Sequence, residues 1–253
     1  MRISLIKNSV LILFVMVLSA CATQNASNKS IQIDEFTYVD TTRHREISVA
    51  IYQPENIATS NKISIIFSHG WGENKGGDNK VYSYLTEFLA SKSYTIFSIQ
   101  HELATDEMLA MEGNLRETRL ANWQRGADNI LYVLNRIKTD FPNYAYHKLI
   151  LIGHSNGGDM SVLFTHQHPE LVDKLISMDN RRMELPRTSQ PKIYSLRSND
   201  YPADFGVLPN EIELKKYGII IDRTNIKHSR MDNDATPEER NYMTKKILDY
   251  IEK

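Results

Sequence analysis

Residues 148–160 read KLILIGHSNGGDM, and their character changes at Gly153. Lys148 leads a short apolar run of the kind buried in a parallel sheet, whereas MSVLFTHQHPEL, from Met160 onward, has a helical pattern. Between the two, Gly153, Gly157 and Gly158 surround Ser155. A G-x-S-x-G pattern at a strand-to-helix junction predicts a sharp turn with the serine at its apex. The turn forces the serine into a strained backbone conformation, and side chains in place of the flanking glycines would collide with the strand and helix on either side. It lifts the serine oxygen above the carboxyl edge of the sheet, toward the first N–H groups of the helix.

Such a turn needs a sheet, and the rest of the chain supplies one. Apolar runs occupy 63–70 (ISIIFSHG), 94–101 (YTIFSIQH), 148–155, 174–179 (KLISMD), 192–198 (KIYSLRS) and 218–224 (GIIIDRT). Six of them predict a parallel sheet covered on both faces. Ahead of these, IQIDEFTYV and REISVAIYQP alternate as two antiparallel strands do. Helical patterns fall between the runs, in KVYSYLTEFLASKS, in RLANWQRGADNILYVLNRIKTDF and after Ser155. A last one, TPEERNYMTKKILDYI, opens with Thr236 as cap, Pro237 at the first position and Glu239 closing a capping box. Strand and helix alternation of this kind is that of an α/β doubly wound domain.

The 253 residues, 41% hydrophobic and 24% charged, suit a single domain with one sizeable core. A formal charge of −1 offers no basic face, so nucleic acid is not an expected partner. The first twenty residues read differently: Arg2 and Lys7 precede the apolar run LILFVMVL, and Ser19 and Ala20 follow it, as in a secretory leader. The single cysteine, Cys21, comes directly after LSA, and LSAC resembles a bacterial lipobox. The expectation is a leader over 1–20, lipidation of Cys21, a small polar tether through residue 30 and a domain over 31–253. That resemblance implies a membrane anchor in a bacterial cell envelope; with Ala22 rather than aspartate next, the outer membrane is favoured in a Gram-negative host.

With GHSNGG as the elbow and SHGWG at 68–72 after an early strand, residues 31–253 resemble an α/β-hydrolase. The resemblance implies two backbone donors to an oxyanion hole, Trp71 after the His-Gly pair and Asn156 after the nucleophile. It also implies the chain order serine, acid, histidine, since a serine needs a histidine to take its proton and a carboxylate to orient that ring. Of the three histidines after Ser155, His166 and His168 lie in or just past the nucleophile helix, while His228 stands between the last strand and the last helix, where the family keeps its base. Three aspartates compete for the acid. Asp200, just past KIYSLRS, holds the family's usual position and is favoured; Asp204 lies in the same loop, and Asp179 ends the preceding strand.

Asp159, one turn into the helix after Ser155, reads as a complement to the helix N-terminus. Arg181 and Arg182 read as a solvated pair, with a hold on a substrate carboxylate as the sharper alternative. No cofactor and no metal are expected; DNDA at 232–235 lacks the remaining pattern of a calcium loop. The stretch between the strands at 174–179 and 192–198 is too short for a helical cap. The long connection 102–118 offers Leu103, Met108, Leu109, Met111 and Leu115 to an apolar acyl site. The implied activity is cleavage of a small carboxylic ester or related acyl bond, with peptide cleavage, acyl transfer and an inactive binding lipoprotein as alternatives.

Overall fold

The computed structural model describes residues 30–253, so the leader, Cys21 and nearly all of the tether lie outside the described residues. Eight strands form one sheet: β1 (Ile31–Asp40), β2 (Arg45–Pro54), β3 (Ile63–Ser68), β4 (Thr95–Ile99), β5 (Ala145–His154), β6 (Lys174–Met178), β7 (Lys192–Arg197) and β8 (Ile220–Arg223), in the spatial order β1-β2-β4-β3-β5-β6-β7-β8. The two N-terminal strands are antiparallel, β2 also to β4, and every pairing from β3 to β8 is parallel.

Because side chains alternate along a strand, each buried run feeds two cores. Ile65, Phe67, Ile96, Ile150 and Ile152 face one side, where α1 (Ser83–Ser91) and α6 (Pro237–Glu252) cover them with Leu85, Leu89, Met243 and Ile247. Ile66, Phe97, Leu149 and Leu151 face the other, under Ile130, Val133 and Leu134 of α3 (Leu120–Asp140) and Val162 and Phe164 of α4 (Ser155–Gln167). At Gly126 of α3 an added Cβ would lie 2.3 Å from Met160 Sδ of α4, so a side chain there would have to displace the Met160 side chain packed between the two helices.

The Thr236–Glu239 capping box forms at the start of α6 with Pro237 at its first position. The chain also has two helices that the hydrophobic pattern does not reveal, the single turn α2 (Leu115–Thr118) and α5 (Glu211–Tyr217). The latter is signalled by its ends: Asn210 and Glu213 make a capping box, and Gly218 closes it at φ 68°. No helix forms between β6 and β7, in keeping with the absence of a cap domain.

Candidate active site

β5 ends at His154 and α4 begins at Ser155, whose φ is +52°. A non-glycine residue in that region costs on the order of 1–3 kcal/mol, and the surroundings impose it. An added Cβ on Gly157 would stand 2.2 Å from His69 O and 2.4 Å from Ser68 O, and one on Gly153 would stand 2.5 Å from Gly157 O. The elbow is thus pressed against the end of β3. From behind, Trp123 Nε1 donates to Asn156 Oδ1 at 2.8 Å and Asn156 Nδ2 donates to Asn122 Oδ1 at 2.9 Å, which fastens the turn to α3.

His228 lies in a single helical turn (His228–Arg230) after β8. Its Nε2 is 2.9 Å from Ser155 Oγ, and its Nδ1 is 2.5 Å from Asp179 Oδ2. Asp200 does not reach the ring, which corrects the expectation for the acid. It sits past β7, and its Oδ1 accepts instead from the backbone N–H of His228 at 2.8 Å. Asp204 is drawn away into an ion pair with Arg182. Asp179 wins because β6 adjoins β5 and because its own φ of +58° turns the fully buried carboxylate toward the ring. Its second oxygen accepts from Ser198 N at 3.0 Å and faces the buried Arg197 guanidinium at 3.0 Å. Burial raises this carboxyl's pKa, but the bonds from His228 and Ser198 and the charge of Arg197 outweigh it and hold the group below the usual carboxylate range. An ionised Asp179 fixes the proton on Nδ1 and leaves Nε2 to accept from the serine hydroxyl.

The loop after β3 is built from buried hydrogen bonds. His69 Nε2 accepts from His101 N at 2.9 Å, so its Nδ1 carries the proton and donates to Gly70 O at 2.5 Å. Gly70 N donates to Tyr82 Oη at 3.0 Å, and that hydroxyl donates to His154 Nδ1 at 2.7 Å. Gly72 N and Asn74 N both donate to Glu102 Oε2, at 3.0 and 3.4 Å. Burial pushes the Glu102 carboxyl up to about 7 despite these two bonds, and it drives His154 down to about 3, helped by the charge of His228. Trp71, between the committed amides of Gly70 and Gly72, lines the same cleft as Ser155 and His228.

That cleft holds about 760 Å³, within the range of small-molecule sites. From the long connection, Leu109, Met111 and Leu115 line it. Leu103 and Met108 do not, the latter being 60% exposed. Asp159 is more than a complement to the helix start: it is buried, and its Oδ1 accepts from the backbone N–H groups of Arg181, Arg182 and Met183. It thereby anchors the turn that follows Asp179. The arginine pair lines the cleft rather than pointing to open solvent, and the 232–235 stretch is a tight turn in which Asp232 accepts from Asp234 N.

No protein-family model matches this sequence, and no curated protein matches it in sequence. Solved structures match it in shape. Esterase Est22, determined with p-nitrophenol, superposes with a TM-score of 0.63 at 12% identity over 87% of this chain and 80% of its own. A bacterial heroin esterase gives 0.63 at 12% over 90% and 86%, and a Rhizomucor miehei fungal esterase 0.62 at 13% over 90% and 84%. At such identities the likeness is one of fold, and the fold is that of the α/β-hydrolases.

Proposed function

We propose that this chain is a serine hydrolase acting on carboxylic esters or closely related acyl bonds, with Ser155 as nucleophile, His228 as base and Asp179 as the acid. One observation carries the reading: an unbroken contact path from Ser155 Oγ through both nitrogens of His228 to a buried, ionised carboxylate, at a serine held in a left-handed turn. That the similar solved structures include proteins described as esterases supports it.

In the proposed reaction Ser155 Oγ attacks the carbonyl carbon while His228 Nε2 takes its proton, and the imidazolium is stabilised by Asp179. The backbone N–H groups of Trp71 and Asn156 hold the oxyanion. Collapse breaks the bond to the alcohol, which leaves with the proton from His228. Water, activated by the same ring, then attacks the acyl-serine and releases the acid. Ser155→Ala is expected to abolish labelling by a fluorophosphonate probe and to lower hydrolysis of p-nitrophenyl butyrate by several orders of magnitude, down to what binding and the oxyanion donors supply. Undiminished turnover by that variant overturns the proposal.

A further inference from the structure

The cleft that carries Ser155 has two chemically opposite limbs. One is acidic: Asp78, Asp232 and Asp234 line it, and the 232–234 turn is tied to the segment before α1 by Asn233 N donating to Val81 O at 2.8 Å. The other is basic: Arg119, from the junction of α2 and α3, meets Arg181 and Arg182 on the turn after β6. Of these three, only Arg182 has an acidic partner, Asp204. Among the described residues no carboxylate lies within ion-pair distance of the Arg119 or Arg181 guanidinium.

Both unpaired groups are held in place without being neutralised. Arg119 Nε donates to Ala110 O at 2.7 Å, which leaves its terminal donors toward Met111 and the cleft. Arg181 lies with Cζ 3.2 Å over the centre of the Tyr201 ring, and Tyr201 in turn packs 4.8 Å from the His228 ring. Arg181 Nε donates to Pro202 O at 3.4 Å, which leaves the terminal donors of the stacked guanidinium for an in-plane acceptor, the geometry suited to a carboxylate fork. Its turn is pinned by the three backbone bonds to buried Asp159, so the charge is presented from a rigid support. Burial, and then the like charges of Arg182 and Arg181, lower the pKa of Arg119. Three half-buried cations, of which only Arg182 is ion-paired while Asp159 and Asp179 act on Arg119 and Arg181 from longer range, form a site that gains from an added anion.

Resting on the reading of this cleft as an acyl hydrolase, we infer that its substrate carries an anionic group, a carboxylate on a short limb beside the scissile bond, received by Arg119 and Arg181. The acidic limb repels the same group, so the charge sets the direction in which the substrate enters. With the carboxylate on the acyl side, hydrolysis yields a dicarboxylic acid of the succinate or glutarate type and a neutral alcohol; with it on the alcohol side, a monocarboxylic acid and a hydroxy acid.

The test compares matched esters that differ only in charge: p-nitrophenyl hemiglutarate against its monoamide for the acyl side, and 4-(butyryloxy)benzoate against 4-(butyryloxy)benzamide for the alcohol side. The expected result is a kcat/KM preference of about tenfold or more for the anionic member of one pair, as charge-assisted hydrogen bonds supply. That ratio is expected to collapse toward one in Arg119→Gln and Arg181→Gln and to be partly kept in Arg119→Lys. Equal rates within both pairs, or a preference that survives the double Gln variant, overturns the inference while leaving ester hydrolysis intact. If no ester is cleaved, the hydrolase reading fails and thermal stabilisation decides the anion site alone. Stabilisation of the wild type but not of the double variant by millimolar glutarate, with glutaramide inert, supports the site; no stabilisation by glutarate overturns it.

Discussion

Two carboxylates grip His228 at different places, and at the scale of single residues they do different work. Asp179 holds the ring and Asp200 holds the backbone N–H. Asp179→Asn keeps the shape and removes the charge that fixes the tautomer, so kcat is expected to fall by on the order of 10³–10⁴. Asp200→Asn keeps an acceptor for the backbone donor and is expected to stay within about threefold of wild type, since only one hydrogen bond of modest net worth is altered. Rates of p-nitrophenyl butyrate hydrolysis for the two variants check this, and the reverse ranking overturns it. The sequence signal for Asp179 was present but indirect. Arg197 ends an apolar strand and is only 2% exposed, and a buried guanidinium requires a buried anion nearby. An aspartate at the end of the neighbouring strand meets that need, and one on an exposed loop does not.

At the scale of elements, what was legible followed from periodicity and caps. The eight strands, the elbow and the capped last helix all rest on patterns of a few adjacent residues. The loop at 69–74 was legible only as a motif, because its support, Glu102, comes from the end of a different strand. That support has a testable sign. The Glu102 carboxyl, near 4.5 in an unfolded chain, is raised to about 7 by burial, so the folded state binds the extra proton between these values. Its contribution to stability is fully present below about 4.5 and is lost as the pH rises through about 7, where the ionised, buried group costs on the order of 3 kcal/mol. Glu102→Gln still accepts from Gly72 and Asn74 and carries no charge. It is therefore expected to raise the urea midpoint at pH 8 and leave it nearly unchanged at pH 4.5, and a lower midpoint at pH 8 overturns the account.

Over the whole molecule, three buried histidines run the other way. Burial lowers the pKa values of His69, His101 and His154 in the fold, whereas in the unfolded chain they titrate near 6.5. The stability they contribute is present above about 6.5 and is lost as the pH falls below it, at up to about 1.4 kcal/mol per pH unit for each. Between about 6.5 and 4.5 this trio opposes the single gain from Glu102 and outweighs it. Melting temperature is expected to peak near neutrality and drop toward pH 5, with His154→Gln flattening the acid slope; a profile that is flat from pH 7 to 5, in wild type and Glu102→Gln alike, overturns this account. The contact between Ser155 and His228 joins residues 73 apart in the chain, and that between His228 and Asp179 joins residues 49 apart. No fragment therefore owns the chemistry. Under the proposed reading, reactivity of Ser155 becomes a certificate that the strands from β5 to β8 have assembled, and it is revoked when any of them comes apart.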